Sequence, residues 1–264
     1  MFQGTALVTG AGDGIGEMLA RGFAGLDLRV CVQDIRGDAA ERVAEEIGGD
    51  SFPLVFDVSD RDACLAAAED LQTKGLELNL LWINAGVGVG APVVNGRQNT
   101  VEWAFGVNVL GAIWTAQAFR PLMDDAEGLR HVGITASSAA LRKPTGDFPL
   151  YATTKHATFA VAETMRDELA RDDIGTTILC PGLVATDIWD AARARPEKFG
   201  GPRRQDRAIA GRWKEARSPD LMWPHIVRTI EAGGGYLVCA TDGGDTEAAF
   251  RARTEEIAAS IVEI

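Results

Sequence analysis

The sequence predicts an α/β domain built on a parallel sheet with helices on both faces. Short apolar runs alternate with longer amphipathic ones along the chain, and the apolar runs are rich in Val, Ile and Leu with little polar alternation. No Pro/Ser-rich linker and no internal repeat divides the 264 residues. Strands without alternation suit a sheet covered on both sides, and a strand–helix–strand rhythm winds into right-handed crossovers. One domain over residues 1–264 is therefore expected.

The expected strands are Thr5–Thr9, Leu28–Gln33, Phe52–Phe56, Leu78–Ile83, His131–Thr135, Thr176–Cys180 and Tyr236–Ala240. Seven mostly parallel strands would make up the sheet. The intervening amphipathic stretches predict helices over Ile15–Gly25, Asp38–Ile47, Asp60–Lys74, Val101–Met123 and Pro149–Arg171, the last begun by Asp147 and Pro149. A final helix over about 245–262 is expected to pack through Ala249, Phe250, Ile257, Ile261 and Val262.

Composition narrows the partners. Twenty-six Lys plus Arg against 38 Asp plus Glu leave a net charge of −12, which repels phosphate backbones and anionic lipid. Nucleic acid and membrane are thus not expected as partners, and no run reaches the ~18 apolar residues a span requires. The start, Met1-Phe2-Gln3-Gly4-Thr5, has no basic leader, so a cytoplasmic protein is expected. Cys31, Cys64, Cys180 and Cys239 lie far apart and read as free thiols in a reducing compartment. The three histidines lack ligand spacing, and no metal is expected.

The clearest chemical signal follows the first strand, where Thr9-Gly10-Ala11-Gly12-Asp13-Gly14-Ile15-Gly16 opens a helix. Glycines there let the backbone approach a pyrophosphate, whose charge is favoured at the helix N-terminus. Asp34 lies 18 residues beyond Gly16, close to the ~20 expected of a carboxylate that binds the adenosine ribose. This is the fingerprint of a dinucleotide-binding Rossmann fold. A carboxylate accepts hydrogen bonds from a free 2′-hydroxyl and repels a 2′-phosphate, and Asp13 adds a second negative charge. NAD is expected over NADP, with Arg36 as the only opposing charge.

Several further motifs then fall in order. Asp57-Val58 follows the third strand, Asn84-Ala85-Gly86 ends the fourth, and Asn108 lies inside the Val101–Met123 helix. Ser138 stands 13 residues before Tyr151, with Lys155 four residues after it, and Pro181-Gly182-Leu183-Val184-Ala185-Thr186 follows the sixth strand. Together these resemble the short-chain dehydrogenase/reductase family over residues 5 to about 187. The resemblance implies an NAD-linked oxidoreductase with Ser138, Tyr151, Lys155 and Asn108 catalytic. It also implies that Gly10, Asp13, Gly14, Ile15, Gly16, Asp34, Asp57, Val58, Asn84, Ala85, Gly86, Pro181, Gly182, Val184 and Thr186, with Tyr151 and Lys155, bind the cofactor. A homodimer or homotetramer is implied as well, with faces on the two long helices.

The residue chemistry agrees. Oxidising an alcohol needs a base for the hydroxyl proton, and tyrosine is a poor one at its usual pKa of ~10. A neighbouring ammonium favours the phenolate, and Tyr151 and Lys155 share a helix face. Ser138 would donate to the substrate oxygen, and Asn108 would fix a water that carries the proton outward. A sensor or scaffold that merely binds NAD(H) is the non-enzyme alternative; a 3-oxoacyl or small-carbonyl reductase is the enzymatic one.

Residues 187–217 read as a substrate lid. They carry nine Lys/Arg against five Asp/Glu, together with Trp189, Phe199 and Trp213. The lid sequence resembles the subgroup of bacterial NAD-dependent Cα-dehydrogenases of lignin-type aryl ethers. That resemblance implies a bulky, aromatic secondary alcohol as the small-molecule substrate. Ile188, Trp189 and Phe199 supply apolar area on the lid, and Phe148, shortly before Tyr151, reads as the opposite wall, beside Ser138 and Tyr151. The lid's local positive charge is open to two readings, a hold on an anionic substrate group or a solvated face.

Overall fold

A computed structural model describes residues 2–144, 146–203, 216–241 and 245–261. Trp213 and the rest of 204–215, the Asp242-Gly243-Gly244 stretch, and Val262 lie outside the described residues. The strands are β1 (Thr5–Thr9), β2 (Arg29–Asp34), β3 (Phe52–Val55), β4 (Leu80–Ile83), β5 (His131–Thr135), β6 (Gly175–Pro181) and β7 (Gly234–Cys239). They form one sheet in the order β3-β2-β1-β4-β5-β6-β7, with every neighbouring pair parallel. The helices are α1 (Gly14–Ala24), α2 (Gly37–Ile47), α3 (Arg61–Thr73), α4 (Gln98–Phe105), α5 (Gly111–Phe119), α6 (Pro149–Leu169), α7 (Trp223–Glu231) and α8 (Asp245–Ala258).

The continuous apolar strands have the predicted cause: both faces of the sheet are covered. Ala6 and Val8 point into a core shared with Leu19 and Phe23 of α1, Val43 of α2 and Ile226 of α7. Leu7, between them, points into the opposite core with Leu71 of α3, Phe119 of α5 and Met165 of α6. This is the doubly wound Rossmann arrangement. The winding reverses between β1 and β4, so a crevice opens at their carboxyl ends, where ligands bind in such sheets.

Three elements depart from the pattern reading. The expected Val101–Met123 helix starts earlier, at Gln98, is broken by a π-helical turn over Gly106–Leu110, and ends as a 3₁₀ turn over Arg120–Met123. Helix α7 is not among the expected helices, and its Pro224 does not break it. Pro224 instead sits in the first helical turn, where no backbone donor is needed, and Trp223 packs edge-on against Phe23 at 5.3 Å. Strand β7 begins two residues before the expected Tyr236. Gly234 has φ +104°, and a Cβ there would lie 2.2 Å from the Thr176 carbonyl oxygen, so the close approach of β6 requires glycine.

The C-terminal helix exists, but most of its candidate apolar residues do not pack on its own chain. Phe250, Ile257 and Ile261 are 46%, 55% and 73% exposed, and Ala249 alone of the described candidates is turned toward the body of the protein. The helix is held by polar side chains instead. No described helix is long and apolar enough to cross a membrane, and no described group of three or more His, Cys, Asp or Glu could hold a metal. All four cysteines are free, three of them buried.

Candidate active site

At the end of β1 the chain turns sharply into α1. Gly10 takes φ +64°, and a Cβ on it would lie 2.8 Å from the Ala85 Cα. A Cβ on Gly16 would lie 2.0 Å from the Gly10 carbonyl oxygen. Bare backbone is therefore a steric requirement of this turn, which leaves the open cradle a pyrophosphate needs. Thr9 fastens the turn to β4: its hydroxyl accepts from the Asn84 and Ala85 N–H groups at 2.9 and 3.1 Å. Asn84 Nδ2 returns a bond to the Thr9 carbonyl at 3.1 Å, so Asn84 shapes the cradle as well as bordering it.

From this turn a cavity of about 550 Å³ runs to Tyr151 and Phe148. Ile15, Asp34, Asp57, Val58, Ala85, Gly86, Pro181, Gly182, Val184 and Thr186 all border it. Gly14 and Gly16 shape the turn from behind. The glycine cradle and the acidic residue at the end of β2 suit a dinucleotide.

The adenosine end carries more opposing charge than expected. Asp34 Oδ2 accepts from the Gly12 N–H at 3.0 Å, while Oδ1 accepts from Arg36 N and Nε at 2.9 and 3.2 Å. Arg36 also pairs with Asp13 at 2.7 Å, so it is not a solvated charge. Arg193, from the far side of the cavity, reaches the same Asp13 oxygen at 2.9 Å. Burial pushes the Asp13 carboxyl up, and the Arg36 and Arg193 charges oppose that rise.

The proposed proton-handling groups converge from two elements. Helix α6 places Tyr151 and Lys155 one turn apart, both buried. Lys155 Nζ donates to the Thr135 carbonyl at 3.0 Å and lies 5.9 Å from the Tyr151 ring centre. Burial pushes the Tyr151 phenol up to about 12 and draws the Lys155 ammonium down to about 8. In the protein alone desolvation therefore sets the direction for the phenol, opposite to the lowering expected from the lysine. A hydrogen bond from Ser137 is what pulls the phenol the other way. Ser137 caps the 3₁₀ turn Ser138–Leu141, accepting from the Ala139 N–H at 3.2 Å. Ser138 borders the same cavity one residue on and is half-buried.

Asn108 sits in the π-helical turn, which explains why a regular helix was the wrong expectation there. Its Oδ1 accepts from the Val87 N–H at 2.8 Å. Its Nδ2 donates to the Val87 carbonyl at 3.0 Å and to Thr154 Oγ1 at 2.9 Å. Thr158 Oγ1 donates to the Asn108 carbonyl at 2.7 Å. Asn108 therefore clamps the end of β4 to α6. Thr154 and Thr158 were missed by motif reading, although they follow Tyr151 at i+3 and i+7, the spacing of one helix face.

The short chain dehydrogenase family model matches residues 4–197, most of the chain. The chain belongs to the short-chain dehydrogenase family. Members of the family bind a nicotinamide cofactor. A short-chain dehydrogenase from Burkholderia phymatum, solved in complex with NAD, is 28% identical with a TM-score of 0.86, each chain covered in full. Mouse estradiol 17-beta-dehydrogenase 11 is 33% identical over 68% of this chain and 62% of its own length. The oxidoreductase EphD of Mycobacterium tuberculosis is 30% identical over 85% of this chain, which spans only 39% of that protein.

On the substrate side of this short-chain dehydrogenase, Trp189 is buried against Gly88, where an added Cβ would meet its ring at 2.6 Å. Its ring centre lies 4.2 Å from Phe148 and 5.2 Å from Tyr151, the latter edge-on. Ile188 borders the cavity, and its carbonyl accepts from the Gly88 N–H at 3.0 Å. Phe199 is corrected: it packs over Gly106, outside the cavity wall, because the 3₁₀ turn Glu197–Phe199 aims it at the π-helical turn. Two of the lid's cations are spent within the protein. Arg193 pairs with Asp13, Asp187 and Asp190, and Lys198 pairs with Asp57 at 3.0 Å.

Proposed function

We propose that this enzyme oxidises a bulky, aromatic secondary alcohol to its ketone with NAD, in the cytoplasm. The observation that carries the substrate class is the aromatic wall formed by Phe148 and Trp189 directly beside Tyr151. The resemblance of the lid sequence to aryl-ether Cα-dehydrogenases points the same way. When bound, the nicotinamide supplies the hydride acceptor. Tyr151 Oη takes the carbinol proton, and a serine hydroxyl holds the carbinol oxygen. The 13-residue spacing favours Ser138 for that role, with Ser137, the cap of the same turn, as its neighbour. Lys155 places a positive charge beside the phenol, and Asn108 fixes the end of β4 against α6. The full set is more than a sensor needs, and the Asp34 carboxylate disfavours the NADP-linked reductase reading.

Burying about 100 Å² of substrate ring at about 25 cal/mol per Å² favours aryl over short aliphatic alcohols by one to two orders of magnitude in kcat/KM. A comparison of 1-arylpropanols with 2-butanol, with NAD at alkaline pH, tests this. Equal kcat/KM for the two classes would overturn the large-pocket reading. Trp189→Ala is expected to narrow the difference about tenfold.

Cofactor choice has its own test. The wild-type enzyme is expected to prefer NAD over NADP in kcat/KM by tenfold or more, and Asp34→Ala to erode that preference. The loss of Asp34 frees Arg36 from one of its two carboxylates, leaving its guanidinium paired with Asp13 alone among the described ion pairs. Faster wild-type turnover with NADP at equal low concentration would contradict the assignment.

A further inference from the structure

Helix α8 touches the body of the protein along one seam, Thr246, Ala249 and Arg253, spaced i, i+3 and i+7. Its apolar residues Phe250 and Ile257 face outward, so burial of apolar surface is not what fixes its position. The described polar anchors lead to the end of the serine turn and to α6. Arg142, which ends the serine turn, donates from Nη2 to Thr246 Oγ1 at 2.6 Å, and Thr246 is only 2% exposed. Lys143 pairs with Glu256 at 3.3 Å.

Arg253 makes the decisive pair of contacts. Its Nη1 donates to the Ala140 carbonyl at 3.3 Å, inside the turn Ser138–Leu141. The same nitrogen lies 2.8 Å from His156 Nε2 on α6, next to Lys155. His156 Nδ1 lies 2.8 Å from the Ala152 carbonyl, which can only accept. Nδ1 therefore carries the proton, and Nε2 is left as an acceptor for the guanidinium. One side chain thus bonds both elements of the proton-handling site: the turn that presents Ser137 and Ser138, and the helix that presents Tyr151 and Lys155.

We infer that Arg253 is a positioning residue for the reaction: α8 braces the serine turn against α6 and so sets the serine-to-tyrosine geometry. A displacement of an ångström at reacting groups costs up to about 10²-fold in rate, so a brace outside the cavity has leverage on kcat. The adenosine end, at Gly12, Asp13 and Asp34, lies on other elements and receives no bond from α8 among the described residues.

The test uses Arg253→Ala, His156→Leu, which removes the acceptor without touching α8, and the double variant. Expected is a five- to twentyfold loss of kcat in each, with NADH affinity and KM for NAD within twofold of wild type. The double variant should be little worse than either single one, because both break one bridge. Arg253→Lys should recover part of kcat. A readout free of any substrate assignment is amide hydrogen exchange over residues 137–141, expected to quicken in Arg253→Ala. Unchanged exchange, unchanged kcat, losses that multiply, or a parallel fall in NADH affinity would each overturn the inference.

Discussion

Replacing Tyr151 with Phe is expected to lower kcat by 10²-fold or more while leaving NADH affinity nearly intact. The substitution removes one oxygen, the atom proposed to receive the carbinol proton, and general acid–base catalysis contributes up to about 10⁴-fold. The ring stays, so its edge-on contact with Trp189 and its place beside Lys155 survive. The wild-type rate should also depend on pH in a way the variant does not. Burial holds the phenol at about 12 in the protein alone, so its reactive phenolate is scarce at neutral pH. The oxidative kcat/KM should therefore rise with pH through the alkaline range, and the residual rate of Tyr151→Phe should lose that rise. Wild-type-like turnover in the variant would remove Tyr151 from the mechanism.

Lys155→Met should abolish turnover and yet stabilise the fold at neutral pH. The lysine is buried with one hydrogen bond to the Thr135 carbonyl, and desolvation lowers it from 10.5 to about 8. A base whose folded value lies below its unfolded one costs stability while the unfolded lysine is charged. The cost is complete below pH ~8 and disappears as pH rises through about 10.5. At about 1.4 kcal/mol per pH unit the gross cost is about 3 kcal/mol, and the lost hydrogen bond returns about 1 kcal/mol. A net gain of about 2 kcal/mol is expected at pH 7, a rise of several degrees in Tm, shrinking above pH 9. Thermal unfolding of both proteins across that range checks the sign. A lower Tm for the variant at pH 7 would show that Lys155 is stabilised by its surroundings.

The sequence speaks most clearly where local chemistry and fold demand the same residue. The Gly10 to Gly16 turn and Asp34 are legible because their requirements are short-range: backbone approach in one case, a carboxylate at a strand end in the other. The seven apolar runs are legible because a sheet covered on both faces tolerates no alternation. What stayed hidden was set by distant packing. Strand β7 starts on glycines that lack strand propensity and are required only by the neighbouring Thr176 carbonyl. Phe199 and Trp189 look alike in the chain, but local 3₁₀ turns aim one at the π-helical turn and the other at Tyr151. The charge of residues 187–203 reads as a patch until Asp13 and Asp57, far away in sequence, are seen to pair with it. Ser137 and Ser138 differ by one register step: spacing points to Ser138, and only the fold shows that Ser137 caps the turn to which Ser138 belongs.

Direct hydride transfer is the central claim, and isotope tracing tests it without assuming a natural substrate. The purified protein is incubated with NAD and a 1-arylpropanol carrying deuterium at the carbinol carbon, and the cofactor is recovered for mass spectrometry. One deuterium per NADH formed is predicted, with about a hundredfold or more less labelled cofactor formed by Tyr151→Phe over the same interval. Failure to label the cofactor with any secondary alcohol, by a protein that still binds NADH, would contradict the account.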